Sequence, residues 1–470
     1  MIMRGALALV KWRTCGSFRD LVAVLLYARS AAAHSRNTGS RGHRPRPQLK
    51  VEQMRLESAA FLRDPSLDVF IQRAIGLRVL RSGSRSVSNH SSHSSHPKEQ
   101  PIMAIKIVNK VLPTTMVGSY PRPSWYKQQL LGRDIQVAFK EAAYEETYQD
   151  AVAAVVRDQE DAGLDIVTDG NMWYDDYVGV IGSFCWYMYE RIGGFESARE
   201  PHPSGVGQAK SQGKAILDDW GGVVNSGPVT HGPIRLTDLY NVTKAHATKP
   251  VKVSVGAGPA NLAWHVYFKH YKNPKELSIA LAPIFNKEMK SLVEAGATYL
   301  QFEDLGAWLP LFTNDKNDYT WIKDVVAQCC DGVKAKIGWH FCFGNAWGND
   351  ILSANFPEGY QTVLPHFFDT PGIDQFVLDY ANRNMAGIEF LKNLPKGKDV
   401  QVGVLDIRNM MIEKPTQVAD RIRTVLKHVD ADRVYPSTDC GMKPLARMVA
   451  KMKLQSLAEG AAIVRKEVGG

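Results

Sequence analysis

The sequence predicts an α/β protein, a single closed (β/α)8 TIM barrel, preceded by an extension that is foreign to it. Three observations carry this. Eight short apolar, β-branched runs follow one another after residue 103, at 111–119, 164–169, 251–256, 298–303, 335–342, 386–390, 400–406 and 433–437. Amphipathic stretches of helical period lie between them, among them 140–162, 276–295, 319–329 and 417–429. Strands alternating with helices predict parallel βαβ units, and eight units close into a barrel. The chemistry-bearing residues also cluster at the ends of the strand-like runs, where barrels place their active sites.

The extension, 1–102, holds 17 Lys and Arg against six Asp and Glu, whereas the rest of the chain holds 40 against 42. The formal charge of +9 is therefore a property of the extension. The near-neutral barrel gives no argument for a nucleic-acid partner. Residues 1–50 are Arg- and Ser-rich and poor in acids, as transit peptides are, and 82–96 is Ser/His low complexity. A basic nucleic-acid-binding tail is a second reading, without the aromatic or glycine interleaving that would favour it. A start at Met103 is the preferred third, because everything patterned follows it. Disorder is expected over 1–102 under all three, which leaves 103–470 as the catalytic domain.

No apolar run reaches the length of a membrane span. Residues 21–33 are too short and Arg29 interrupts them, so no membrane partner is expected. Six cysteines, at 15, 185, 329, 330, 342 and 440, form no disulfide framework and suit a reducing, cytoplasmic setting. Cys185 and the Cys329–Cys330 pair read as packing.

The first strand ends in Val117-Gly118-Ser119-Tyr120-Pro121-Arg122-Pro123. Gly118 and Ser119 expose backbone N–H groups that suit an anion, with Arg122 beside them; a plain proline-set turn is the alternative. The second strand ends in Thr168-Asp169-Gly170-Asn171, followed by the aromatic run from Trp173 and Tyr174. The fourth ends in Glu303-Asp304, of which Asp304 reads equally well as a helix cap. Residues 205–229 form a Gly-rich insertion and 345–374 a long aromatic loop, each placed to cover the barrel mouth.

The fifth strand ends in His340-Phe341-Cys342-Phe343-Gly344. Residues i and i+2 of a strand share a face, so this imidazole and thiol can grip one ion. A His-x-Cys pair alone is more often a core pair than a metal site. Cys440, in Ser437-Thr438-Asp439-Cys440-Gly441 at the eighth strand end, and Glu389, at the predicted sixth, supply further ligands. Two thiolates, an imidazole and a carboxylate suit Zn2+ and not magnesium or calcium.

From Leu112 onward the chain resembles the cobalamin-independent methionine synthase family, whose barrel is related to uroporphyrinogen decarboxylase. The resemblance rests on residues 112–122, His340-Phe341-Cys342-Phe343-Gly344-Asn345 and Ser437-Thr438-Asp439-Cys440-Gly441. It implies a zinc ion that activates a substrate thiol, with His340, Cys342, Glu389 and Cys440 as ligands. The family's ammonium-binding Gly-Glu pair is Gly170-Asn171 here, and a neutral amide cannot pair with a buried ammonium. The family's second ammonium partner corresponds to Glu303. These departures resemble the epoxyalkane:coenzyme M transferase (2-hydroxypropyl-coenzyme M lyase) branch, whose thiol carries a sulfonate and no amine.

The expected reaction is therefore attack of a coenzyme M thiolate on an aliphatic epoxide. Gly118, Ser119 and Arg122 would hold the sulfonate, and Asn171 and Glu303 would also line the thiol site. His231, Tyr120 and Tyr174 are the candidates for protonating the alkoxide, His231 reading equally as a structural loop residue. Trp173, Trp308 and Trp347 would exclude water or form core. Methyl transfer from a folate to homocysteine is the alternative, and a binding protein with a structural zinc site the non-enzyme one. Self-association is left open.

Overall fold

A computed structural model describes residues 105–126, 142–173, 185, 187–197, 223–264, 266–308, 318, 320–343 and 359–469. The expectations for 1–102, Tyr174 and Trp347 lie outside these residues.

Six parallel strands form one sheet in the order β3 (Val253–Ala257), β5 (Tyr299–Glu303), β6 (Lys336–Phe341), β7 (Gln375–Leu378), β8 (Asp399–Leu405) and β9 (Val434–Thr438). Two extended segments complete the circuit. Thr115 N–H donates to Pro436 O (3.2 Å), Ile166 N–H to Thr114 O (3.1 Å) and Lys252 N–H to Val167 O (2.8 Å). Residues 112–117 thus lie beside β9, and 164–168 lie between them and β3. Eight parallel segments close the barrel, which removes the edges an open sheet would expose.

Helices α1 (Ala142–Asp161), α2 (Leu236–His246), α4 (Pro274–Glu294), α5 (Thr320–Cys330), α6 (Pro415–Leu426) and α7 (Arg447–Glu467) alternate with the strands. The short α3 (Pro259–Trp264) follows β3. Helix α4 begins cleanly because Asn273 accepts the Glu276 N–H (2.9 Å) and Pro274 occupies the first turn, where a missing N–H costs nothing. Its Leu277, Leu281, Phe285, Met289 and Leu292 are buried, the spacing of a face laid on a sheet.

The sixth strand departs from expectation. Residues 386–390 are not a strand: Ile388–Asn393 is a 3-10 helix whose Ile388 and Leu391 point inward. The strand is Gln375–Leu378, paired in parallel with β6 and β8. The stretch after 359, expected as loop, contains two 3-10 turns, Gly359–Thr362 and Leu364–His366. Part of the Gly-rich insertion is a small sheet, in which β2 (Val223–Thr230) joins β1 (Gly193–Ser197) antiparallel and β4 (Val266–Phe268) parallel.

The barrel interior is polar in its middle. Lys252, Gln301, Gln375, Gln401 and Ser437 are all buried; Gln375 accepts from the Tyr299 hydroxyl, and the others bond one another or backbone. At the N-terminal end Lys336 and Asp399 form a buried ion pair, and Lys336 also donates to Ile105 O (3.1 Å).

Candidate metal centre

At the opposite end of the barrel, His340 is the penultimate residue of β6, and Cys342 follows that strand directly. Cys440 sits two residues past β9. One ligand atom from each of the three lies within 4.8 Å of the others. Among the described residues this is the one group of three such side chains close enough to share an ion.

The imidazole is already oriented. Its Nδ1 bonds the Glu303 carboxylate, which the sheet register makes its direct neighbour, Glu303 opposite His340. Its Nε2 is buried and has no hydrogen-bond partner. A buried, unpaired ring nitrogen costs free energy of about 1–3 kcal/mol unless something fills it. The ring that carries it is grouped with two sulfurs, and N/S donors suit zinc.

The electrostatics agree. Burial pushes the His340 pKa down, but the charge and hydrogen bond of Glu303, with Cys440 and Asp379, lift it to about 8. The Cys440 thiol is held below its usual range, first by the Cys342 hydrogen bond and then by the His340 charge, against the effect of burial. A thiol biased toward thiolate is one prepared to bind metal.

Glu389 is not part of this centre. It is exposed on the 3-10 helix beyond β7, because the sixth strand ends at Leu378, well before it. The acid at that strand end is Asp379, fully buried, which sequence reasoning missed. Its oxygens bond Tyr360 Oη and Asn382 Nδ2 (3.0 Å), and its charge reaches both His340 and Cys440. The apolar run Phe376-Val377-Leu378 ending in an acid was the available signal, too short to stand out within a long loop. Asp439, beside Cys440, accepts the N–H groups of Tyr380 (2.9 Å), Ala381 (2.8 Å) and Asn382 (2.6 Å). It thereby ties the ends of β7 and β9 together.

The remaining candidates divide. Gly118, Asn171 and Ser119 meet at the rim. A Cβ on Gly118 would lie 2.9 Å from Asn171 Nδ2, so only glycine admits that amide. Asn171 is buried in the left-handed region (φ 50) with its Oδ1 unpartnered. Ser119 O accepts the Met442 N–H (2.6 Å), which joins this turn to the Cys440 loop. Arg122 is buried with its guanidinium 5.1 Å from the Tyr126 ring.

Two proposed acids are placed elsewhere. The Tyr120 hydroxyl faces Asp158 and Arg447 O, both at 3.4 Å, and burial raises its pKa further. It is turned toward helices α1 and α7 because its neighbours there are polar. His231 Nε2 pairs with Glu288 of α4 at 2.7 Å, the structural reading of that residue. Trp173 and Trp308 are fully buried. Cys185, Cys329 and Cys330 are buried away from the cluster, as packing residues are.

Among the described residues no helix is long and apolar enough to cross a membrane. The family model described as the catalytic domain of cobalamin-independent synthase matches residues 112–462. The methionine synthase of Thermococcus kodakarensis is 31% identical over 362 residues, 76% of this chain and 95% of its own. That of Sulfolobus acidocaldarius is 30% identical over 364 residues, 76% and 94%. A B12-independent methionine synthase from Shewanella sp. W3-18-1, solved with selenomethionine, superimposes with a TM-score of 0.60 at 28% identity, covering 76% of this chain and 99% of its own. A Listeria monocytogenes structure at 16% identity shares the fold, with a TM-score of 0.51 and 76% and 99% coverage.

Proposed function

The chain belongs to the cobalamin-independent methionine synthase catalytic-domain family, and from that membership we propose that it transfers a methyl group to a small-molecule thiol, homocysteine in the first reading. The observation that carries this is the cluster of buried His340 and Cys342 with half-buried Cys440, together with the buried Nε2 of that histidine left without a hydrogen-bond partner. These three residues would hold zinc, and Asp379 stands close enough for its charge to bear on them. Zinc held there supplies a Lewis acid that turns a thiol into a thiolate at neutral pH. Glu303 keeps the imidazole in one orientation and the proton on Nδ1. The 118–119 turn and Asn171 would seat the acidic end of the thiol compound, and Trp173 and Trp308 keep water from the rim.

A second reading has a specific observation behind it. Asn171 is neutral, and Glu303 is already engaged by His340 and Gln301, so neither offers a spare carboxylate to an ammonium group. A thiol with a sulfonate and no amine, such as coenzyme M, fits that rim better. In that reading the sulfur forms its new bond to the less hindered epoxide carbon, the C–O bond breaks, and the alkoxide takes up a proton. His231 and Tyr120 already bond Glu288 and Asp158 respectively.

The test is one preparation offered two pairs: homocysteine with methyl-tetrahydrofolate, and coenzyme M with epoxypropane. Loss of free thiol in the first alone supports methyl transfer, and loss in the second alone selects epoxide opening. Thiol consumption that survives Cys342→Ala and Cys440→Ala would end both readings.

A further inference from the structure

Behind the metal cluster runs a line of buried polar groups that ordinary packing does not require. Lys252, just before β3, is 1% exposed and has no carboxylate within ion-pair distance among the described residues. Its Nζ lies 2.5 Å from Met116 O, 2.6 Å from Gln301 Oε1 and 2.8 Å from Gln401 Oε1. Three oxygens match the three N–H donors of an ammonium group. Burying a cation among neutral acceptors is costly, and burial pushes this lysine's pKa down to about 7, against the pull of Glu303.

The chain continues in one direction only. The Met116 and Val117 carbonyls can only accept, the first from Lys252 Nζ and the second from Gln301 Nε2, so Gln301 turns its oxygen toward Lys252. Its Nε2 is then left to donate, to Val117 O (2.6 Å) and Glu303 Oε1 (2.5 Å). Gln301 and Glu303 are i and i+2 on β5, both facing inward. Glu303, an acceptor at both oxygens, meets His340 Nδ1 with the second. Nδ1 is then the donor, and the lone pair falls on Nε2, the ring nitrogen without a hydrogen-bond partner.

We propose that Lys252 is a positioning residue for the metal centre: by anchoring Gln301, and through it Glu303, it holds in place the row of hydrogen bonds that orients His340 and leaves its Nε2 lone pair for the ion. This rests on the zinc site proposed above. A partner that orients a metal-binding histidine is worth roughly 10–100-fold in metal affinity. Lys252 acts from two residues further out, and with the Val117 carbonyl, which accepts from Gln301 Nε2, it holds the Gln301 amide on both sides.

The experiment measures zinc dissociation constants by chelator competition in the full chain. Lys252→Met and Gln301→Leu should each weaken zinc by roughly 10–100-fold, and the double variant should be no worse than the weaker single one, since both cut the same chain. The control is Lys336→Met, which removes the other buried barrel lysine, on the same strand as His340 but bonded to Asp399 and Ile105 O. It should lower stability while leaving zinc affinity within about 3-fold.

Wild-type affinity in Lys252→Met overturns the proposal, as does a Lys336→Met defect of equal size or a double variant whose losses multiply. If Lys252→Met does not fold, Gln301→Leu decides: retained affinity overturns the proposal and lost affinity supports it. Wild-type protein that takes up no stoichiometric zinc overturns this proposal and the zinc site together. Normal wild-type uptake with an unaffected Lys252→Met overturns this one alone.

Discussion

At the scale of single residues, the centre was half legible. A histidine and a cysteine two apart on a strand, with a second cysteine before a glycine a hundred residues on, are brought together as that spacing demands. The carboxylates were not legible, because which acid faces inward depends on where a strand stops. Glu303 was read as an ammonium partner and is found holding Nδ1 of His340. Asp379 was passed over for Glu389, which faces solvent.

Two substitutions test this scale. Tyr120→Phe should leave turnover within about 2-fold and lower stability by about 1 kcal/mol, since its hydroxyl bonds only α1 and α7; kinetics and a urea titration measure both. Asn171→Glu should lower the KM for an amino-acid thiol and raise it for a sulfonated one. It should also cost about 1 kcal/mol of stability, because φ 50 tolerates asparagine better than glutamate.

At the scale of elements, seven of the eight barrel segments lie where their apolar runs predicted. The sixth does not, and the reason is physical. Gln375–Leu378 is four residues long and begins with a glutamine, whereas the longer run 386–390 buries Ile388 and, just beyond it, Leu391 at a helical spacing after the positive φ of Gly387. The loops after β7 and β9 hold each other through Asp439, and β8 passes beneath them with Gly403. A Cβ at Gly403 would stand 2.1 Å from Asp439 Oδ1 and 2.6 Å from its Cα. Gly403→Ala should therefore cost about 1–3 kcal/mol as an overpacking change. It should also weaken zinc retention in a chelator titration, because the displaced Asp439 is next to Cys440. Retention at the wild-type level would show that the Cys440 loop does not depend on this clasp.

At the scale of the whole molecule, the barrel closes where 112–117 meets 434–438, and the closure is bolted from outside. Asp165 accepts from Thr114 N–H (2.9 Å), Lys110 Nζ (2.6 Å) and Arg465, and Arg465 of α7 also donates to Leu112 O (2.7 Å). Burial pushes the Asp165 pKa up, but the bonds to Lys110 and Thr114 and the Arg465 charge hold it below the usual value. A carboxyl depressed in the folded state adds stability above its unfolded pKa of about 4, and that stability is lost as pH falls through the folded value. Asp165→Asn should therefore be about 1.5–3 kcal/mol less stable at pH 7, with the gap closing in acid. Urea midpoints of both proteins from pH 7 to pH 3 give the comparison, and a constant gap would remove Asp165 from the acid limb. The alternation of strand and helix made this closure legible, whereas the bolt was not, since nothing local links residues 165 and 465.

That bolt has a bearing on how the protein is made. The backbone of Leu112 bonds Ala431 and Arg465, so on a ribosome the first staves must wait, unpaired on one side, until α7 has been synthesised. Contacts spanning more than three hundred residues form late and slowly, and an open row of staves is prone to clumping in the meantime. Chaperone demand during synthesis should thus fall on the nascent chain and end abruptly once α7 is free to dock.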